Sequence, residues 1–179
     1  YHYALPKLFL NNGSIEFVPI ALEGAIPLLT HLVYAVVLAL GGETGLTLWA
    51  FVTEAVIGLA IYGVTRRWLS RNWSLALALV FLTTPAVIYG GGSGQIEVRT
   101  ALFMLIGVIA ASDSVKNKQL SRLVVASLML GFFIGSKYLG LFAAPGIFLV
   151  IMLQRQWFRP AMIFIILTLV VGMQWYGWN

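Results

Sequence analysis

The sequence predicts an all-α integral membrane protein: a polytopic bundle of transmembrane helices with an external interfacial helical cap and one hairpin of two short helices. Three observations predict it. Hydrophobic residues make up 60% of the 179 positions and charged residues only 9%, against roughly 25% charged in ordinary soluble domains. The apolar residues are gathered into runs of close to 20, each able to cross a hydrocarbon core about 30 Å thick. These runs are continuous rather than alternating, which excludes a transmembrane barrel.

Beyond the first twenty residues the apolar runs fall at about 22 to 40, 45 to 64, 73 to 89, 95 to 111, 123 to 153 and 160 to 176. Between them lie Arg66, Arg67 and Arg71, then Lys116, Lys118 and Arg122, then Arg155 and Arg159, together 8 of the 11 basic residues. Short basic loops mark the cytoplasmic face of a membrane protein, so all three are expected inside. The same placement explains the net charge of +5 without nucleic acid as a partner. No cysteine is present, which excludes disulfides and thiolate metal sites.

Each element follows from that demand. With 45 to 64 running inward, 73 to 89 returns and 95 to 111 goes back in, which leaves the turn at Gly90 to Gly94 outside. For Arg155 and Arg159 to be inside as well, residues 123 to 153 must cross an even number of times. As one helix they would be about 46 Å long, too long for one crossing and short for two. The break Gly135-Ser136-Lys137-Tyr138-Leu139-Gly140 divides them into short helices at about 123–135 and 141–153, with Lys137 near the outer tip. Spanning by 22 to 40 would put the first basic loop outside. That run also contains Glu23, Pro27 and His31, which suit an interfacial or re-entrant helix. Residues 1–44 are therefore expected as an external segment and residues 45–179 as the bundle. The chain opens at Tyr1-His2-Tyr3 without an initiator methionine and stops at Gly177-Trp178-Asn179, which reads as part of a longer polypeptide.

This topology collects Glu16, Glu23, Glu43 and Glu97 outside, with Lys7, Arg99 and Lys137. Glu97 opens an apolar helix after a run of small residues, where the helix dipole favours a carboxylate at the water interface. It also suits the floor of an external cavity, where the glycines allow a substrate or another backbone to approach. Arg99 lies roughly 200° around the helix from Glu97, so the two cannot pair locally. Arg99 either snorkels outward or binds a phosphate or carboxylate, for which its fork is suited. Lys137, between two apolar half-helices, must reach water or an anion. Glu54 is the deepest acid and requires a partner or a proton. Neither His31 nor His2 has metal-ligand spacing to the other. Gly131 and Gly135 have the small-xxx-small spacing of close helix packing.

Three stretches carry a resemblance. "YHYALPKLFLNNGSIEF" resembles the first external loop of polytopic, lipid-carrier-dependent glycosyltransferases of the GT-C fold, the superfamily of protein mannosyltransferases and the aminoarabinose transferases of lipid A. "VTRRWLSRNWSLALALVFLTTPAVIYGGGSGQIEV" is similar to the family's helix pair leading to an external turn and an acidic residue. "GFFIGSKYLGLFAAPG" is similar to its Lys-bearing break before a Pro-containing helix, and "QWYGWN" to the entry of a later external loop. The family's catalytic Asp falls before Tyr1, and Glu97 stands where Asp is usual.

The resemblance implies transfer of a sugar from a polyprenyl-phosphate donor to an acceptor on the non-cytoplasmic side of a bacterial inner (plasma) membrane. It implies Glu97 as the carboxylate that assists the acceptor or a divalent metal. Lys137 and Arg99 would meet the carrier phosphate, with His2, Tyr3 and Tyr138 lining the substrate cavity. No residue is assigned as a metal ligand and no cofactor is identified. Partners expected are lipids and the lipid-linked donor. The rival reading is a non-catalytic accessory subunit of a larger membrane complex, respiratory or photosynthetic; a transporter is a third, without an inverted repeat to support it.

Overall fold

The computed structural model describes residues 2–15 and 26–178. Glu16 and Glu23, expected on the external face, lie outside the described residues. Among the described residues every regular element is helical: α1 (Ala4–Asn12), α2 (Leu29–Thr65), α3 (Arg71–Leu82), α4 (Pro85–Ser93), α5 (Glu97–Asn117), α6 (Leu120–Ser136), α7 (Leu139–Met152), α8 (Phe158–Gly172) and α9 (Gln174–Trp178). The all-helical membrane class expected from the sequence is what the chain adopts. Helices α2 and α5 are long and apolar enough to cross a membrane, and α3 with α4 make a third such element, bent by 59°.

The breaks have local causes. Gly42, at φ 60 and ψ −158, interrupts α2 in a region of backbone space open essentially to glycine alone. The part of the run 22 to 40 from Leu29 on thus continues into the run 45 to 64 within one element broken at Gly42. The run 73 to 89, read as one helix, is divided at Thr83-Thr84. Pro85 follows as the first residue of α4, where its missing N–H costs nothing and its ring could not continue α3. The small residues Gly90 to Ser93, read as a turn, are the last turn of α4. Only Gly94, left-handed at φ 73, ends it.

The chain forms two compact units, residues 1–14 with 33–102, and residues 15–32 with 103–179. In the first, Tyr34, Leu46 and Ile96 form a buried cluster with Tyr3, Val37 and Leu38 packed on it. An exposed ion pair from Lys7 to Glu43 ties α1 to α2; such pairs contribute little.

In the second unit, α6 packs along α8, and α7 lies against both. Its core is built from Leu123, Leu130, Phe133, Ile147, Ile151 and Phe164, among others. Small residues let α6 and α8 approach: a Cβ on Gly172 would lie 2.9 Å from the Gly131 carbonyl oxygen, and one on Gly131 would lie 2.7 Å from Val171 Cβ. Buried Thr168 donates to the Ser127 carbonyl oxygen at 3.2 Å across the same seam. The hairpin break falls at Lys137 and Tyr138. Lys137 is extended at φ −152, and a Cβ on Gly140 would lie 2.5 Å from Ile134 N. Gly140 thus allows the start of α7 to approach the last turn of α6 closely.

Candidate functional site

In the first unit the chemistry gathers at the start of α5. Glu97 stands in its first turn and is exposed. Arg99 is only 3% exposed, so it does not snorkel. Its Nη1 donates to the Gln95 carbonyl oxygen one turn back. Its guanidinium carbon lies 5.2 Å from the centroid of the Tyr34 ring, a cation–π distance. Its Nε and Nη2 are buried without a hydrogen-bond partner. An arginine keeps its charge even when buried, so the compensating charge must come from nearby.

The Glu54 carboxylate, on the second half of α2, is electrostatically coupled to Arg99 and accepts a hydrogen bond from the Gly91 backbone N–H, while its Oε1 is buried without a hydrogen-bond partner. Sequence reasoning identified Glu54 as needing a partner but did not place it beside Arg99. The signal was present in its chemistry, a carboxylate mid-way along an apolar helix, but the long stretch of chain between the two hid their coupling.

The glycine run is what makes room. A Cβ on Gly91 would lie 1.8 Å from Glu54 Oε1, and one on Gly94 would lie 2.2 Å from the Tyr3 ring. Tyr34 donates from its hydroxyl to the Gly94 carbonyl oxygen at 3.1 Å and meets Tyr3 edge-on, with ring centroids 5.8 Å apart. The first unit therefore brings Tyr3, Gly94 and Arg99 around Tyr34, a residue that nothing in the sequence pattern singled out, and sets Glu54 against Gly91. His2 is buried in the same unit.

Lys137 and Tyr138 belong to the second unit. Lys137 is half-buried and Tyr138 exposed. Tyr138 meets Tyr176 edge-on at 5.7 Å, and Tyr176 donates to the Ile134 carbonyl oxygen at 3.1 Å. Around this tip Thr30 donates to Ser136 Oγ at 2.7 Å, with both residues buried.

A divalent metal needs several hard oxygen or imidazole ligands. Among the described residues no three His, Cys, Asp or Glu side chains come together to hold one.

The family model of the dolichyl-phosphate-mannose-protein mannosyltransferases matches residues 25–178. The chain belongs to this family. That match spans both units and includes Glu54, Glu97, Arg99 and Lys137, while His2 and Tyr3 precede it. Membership in the mannosyltransferase family makes this a membrane protein of the GT-C glycosyltransferase type. No curated protein and no solved structure matches the chain.

Proposed function

We propose that the chain serves in transfer of a sugar from a polyprenyl-phosphate carrier to an acceptor hydroxyl on the non-cytoplasmic side of a plasma membrane. The family match carries this reading. The site residues are supported by local chemistry: an exposed carboxylate in the first turn of α5 and a cation at the break of the α6–α7 hairpin.

The reaction asks for a base beside the acceptor and positive charge beside the leaving phosphate. The Glu97 carboxylate takes the acceptor proton. The acceptor oxygen then bonds to the anomeric carbon as the bond from that carbon to the phosphate oxygen breaks. The electron pair leaves with the polyprenyl phosphate, an anion that calls for a cation such as Lys137; Arg99, the other cation the resemblance pointed to, is buried within the first unit. In this reading His2 and Tyr3 accompany Glu97 in the first unit, and Tyr138 accompanies Lys137 in the second.

The test is a transfer assay with a polyprenyl-phosphate sugar, using the full-length protein. Loss of a positioned base lowers turnover by about 10²–10⁴-fold, so Glu97→Gln is expected to fall in that range, and Lys137→Ala is expected to slow turnover by weakening the leaving-group contact. Normal turnover in both variants refutes the assignment. The non-catalytic subunit reading predicts no transfer by the wild type, together with co-purification of a larger assembly.

A further inference from the structure

The ends of the second unit's helices opposite the Lys137 tip hold a feature that sugar transfer does not use. The α5–α6 turn and the α7–α8 turn enclose a cleft of about 840 Å³, lined by Lys118, Gln119, Arg155 and Arg159 above an apolar floor that includes Leu123 and Ile163. Among the described residues no acidic side chain lines it, and residues 98–179 contain a single acid, Asp113. Three cations thus line one concavity with no carboxylate among the described residues of its wall.

Two further observations narrow the ligand. Trp157 and Phe158, which stand in the chain between the lining residues Gln156 and Arg159, meet edge-on with centroids 5.9 Å apart and are 39% and 66% exposed. Exposed Trp and Phe beside Arg mark the depth where a membrane passes from acyl chain to headgroup. Lys118 also holds a left-handed backbone at φ 52, a conformation that glycine adopts at lower cost. A lysine there places a charge at the cleft mouth where the fold alone favours glycine.

We propose that this cleft binds the phosphate headgroup of an anionic phospholipid, with Lys118, Arg155 and Arg159 around the phosphate and the acyl chains passing over Trp157 and Phe158. Basic pockets between membrane helices are suited to such headgroups. The site lies wholly within the second unit and is independent of the sugar-transfer reading.

The test titrates the detergent-solubilised chain with phosphatidylglycerol, phosphatidylcholine and inorganic phosphate, read by native mass spectrometry. Each basic residue near a membrane surface strengthens attraction to anionic lipid about fivefold. The triple variant K118G/R155Q/R159Q is therefore expected to lose phosphatidylglycerol affinity on the order of a hundredfold, and the wild type to prefer phosphatidylglycerol over phosphatidylcholine. K118G suits the left-handed backbone, so the variant keeps its turn. The charge-matched control R66Q/R67Q/R71Q, in the first unit, is expected to bind as the wild type does. Equal loss in both triple variants would reduce the effect to net charge and overturn the proposal. Displacement of the lipid by equimolar inorganic phosphate would assign the cleft to the free ion and overturn it too.

Discussion

Gly91→Ala tests whether the glycine run exists to admit Glu54. The added methyl would fall 1.8 Å from Glu54 Oε1, 2.0 Å from Cδ and 2.3 Å from Oε2, so it would occupy the place of the carboxylate itself. The carboxylate is at the end of a flexible side chain and can swing away, so the cost is what it leaves behind: the hydrogen bond from Gly91 and the attraction of Arg99. A hydrogen bond to a charged group contributes about 1.5–3 kcal/mol. Alanine in place of glycine within α4 returns up to about 1 kcal/mol of helix propensity. The expected net is a destabilisation of about 0.5–2 kcal/mol. In a Glu54→Ala background the obstruction is gone, and the same Gly91→Ala change should stabilise by up to about 1 kcal/mol. The sign of the effect therefore reverses between backgrounds, with a coupling of about 1.5–3 kcal/mol for residues in contact. The measurement is unfolding of the four proteins of the cycle in detergent, followed by helical circular dichroism. An effect of the same sign and size in both backgrounds would refute the packing of Glu54 against Gly91.

Gly172→Ala should destabilise the second unit by about 1–3 kcal/mol, because its Cβ would meet the Gly131 backbone oxygen at 2.9 Å and Ile134 Cβ at 3.0 Å, where overpacking forces the helices apart. Gly146→Ala in α7 meets nothing within 4 Å and is expected to raise stability by up to about 1 kcal/mol; thermal unfolding compares the pair. Tyr34→Phe removes the donor to the buried Gly94 carbonyl oxygen and should cost about 1 kcal/mol. Faster amide exchange of the residues after Gly94 would register that loss locally.

The parts of this protein set by short-range chemistry were legible in its residues. Long apolar runs dictate helices because a backbone in lipid must satisfy its own polar groups. The cluster from Gly135 to Gly140 announced the hairpin, since a lysine between two short apolar helices has to sit at a break. Gly131 and Gly135 announced a close seam, and α8 fills it. The resemblance to the mannosyltransferases was likewise read from local strings such as "GFFIGSKYLG", and the family model's match, over residues 25–178, includes that string.

Tertiary structure alone decided what Gly90, Gly91 and Gly94 are for. In sequence they form one run of small residues, which reads as a turn. In the fold Gly90 and Gly91 are helical, Gly91 faces the Glu54 carboxylate, and Gly94 alone takes the left-handed backbone, beneath the Tyr3 ring. A glycine used for a turn and a glycine used for close approach are the same letter, and the difference lies in the neighbour. Those neighbours come from α2 and from the segment before α1, tens of residues away. The same holds for Arg99: its spacing shows only that Glu97 cannot satisfy it. The Tyr34 ring lies under its guanidinium and Glu54 is electrostatically coupled to it, and no local pattern encodes either relation.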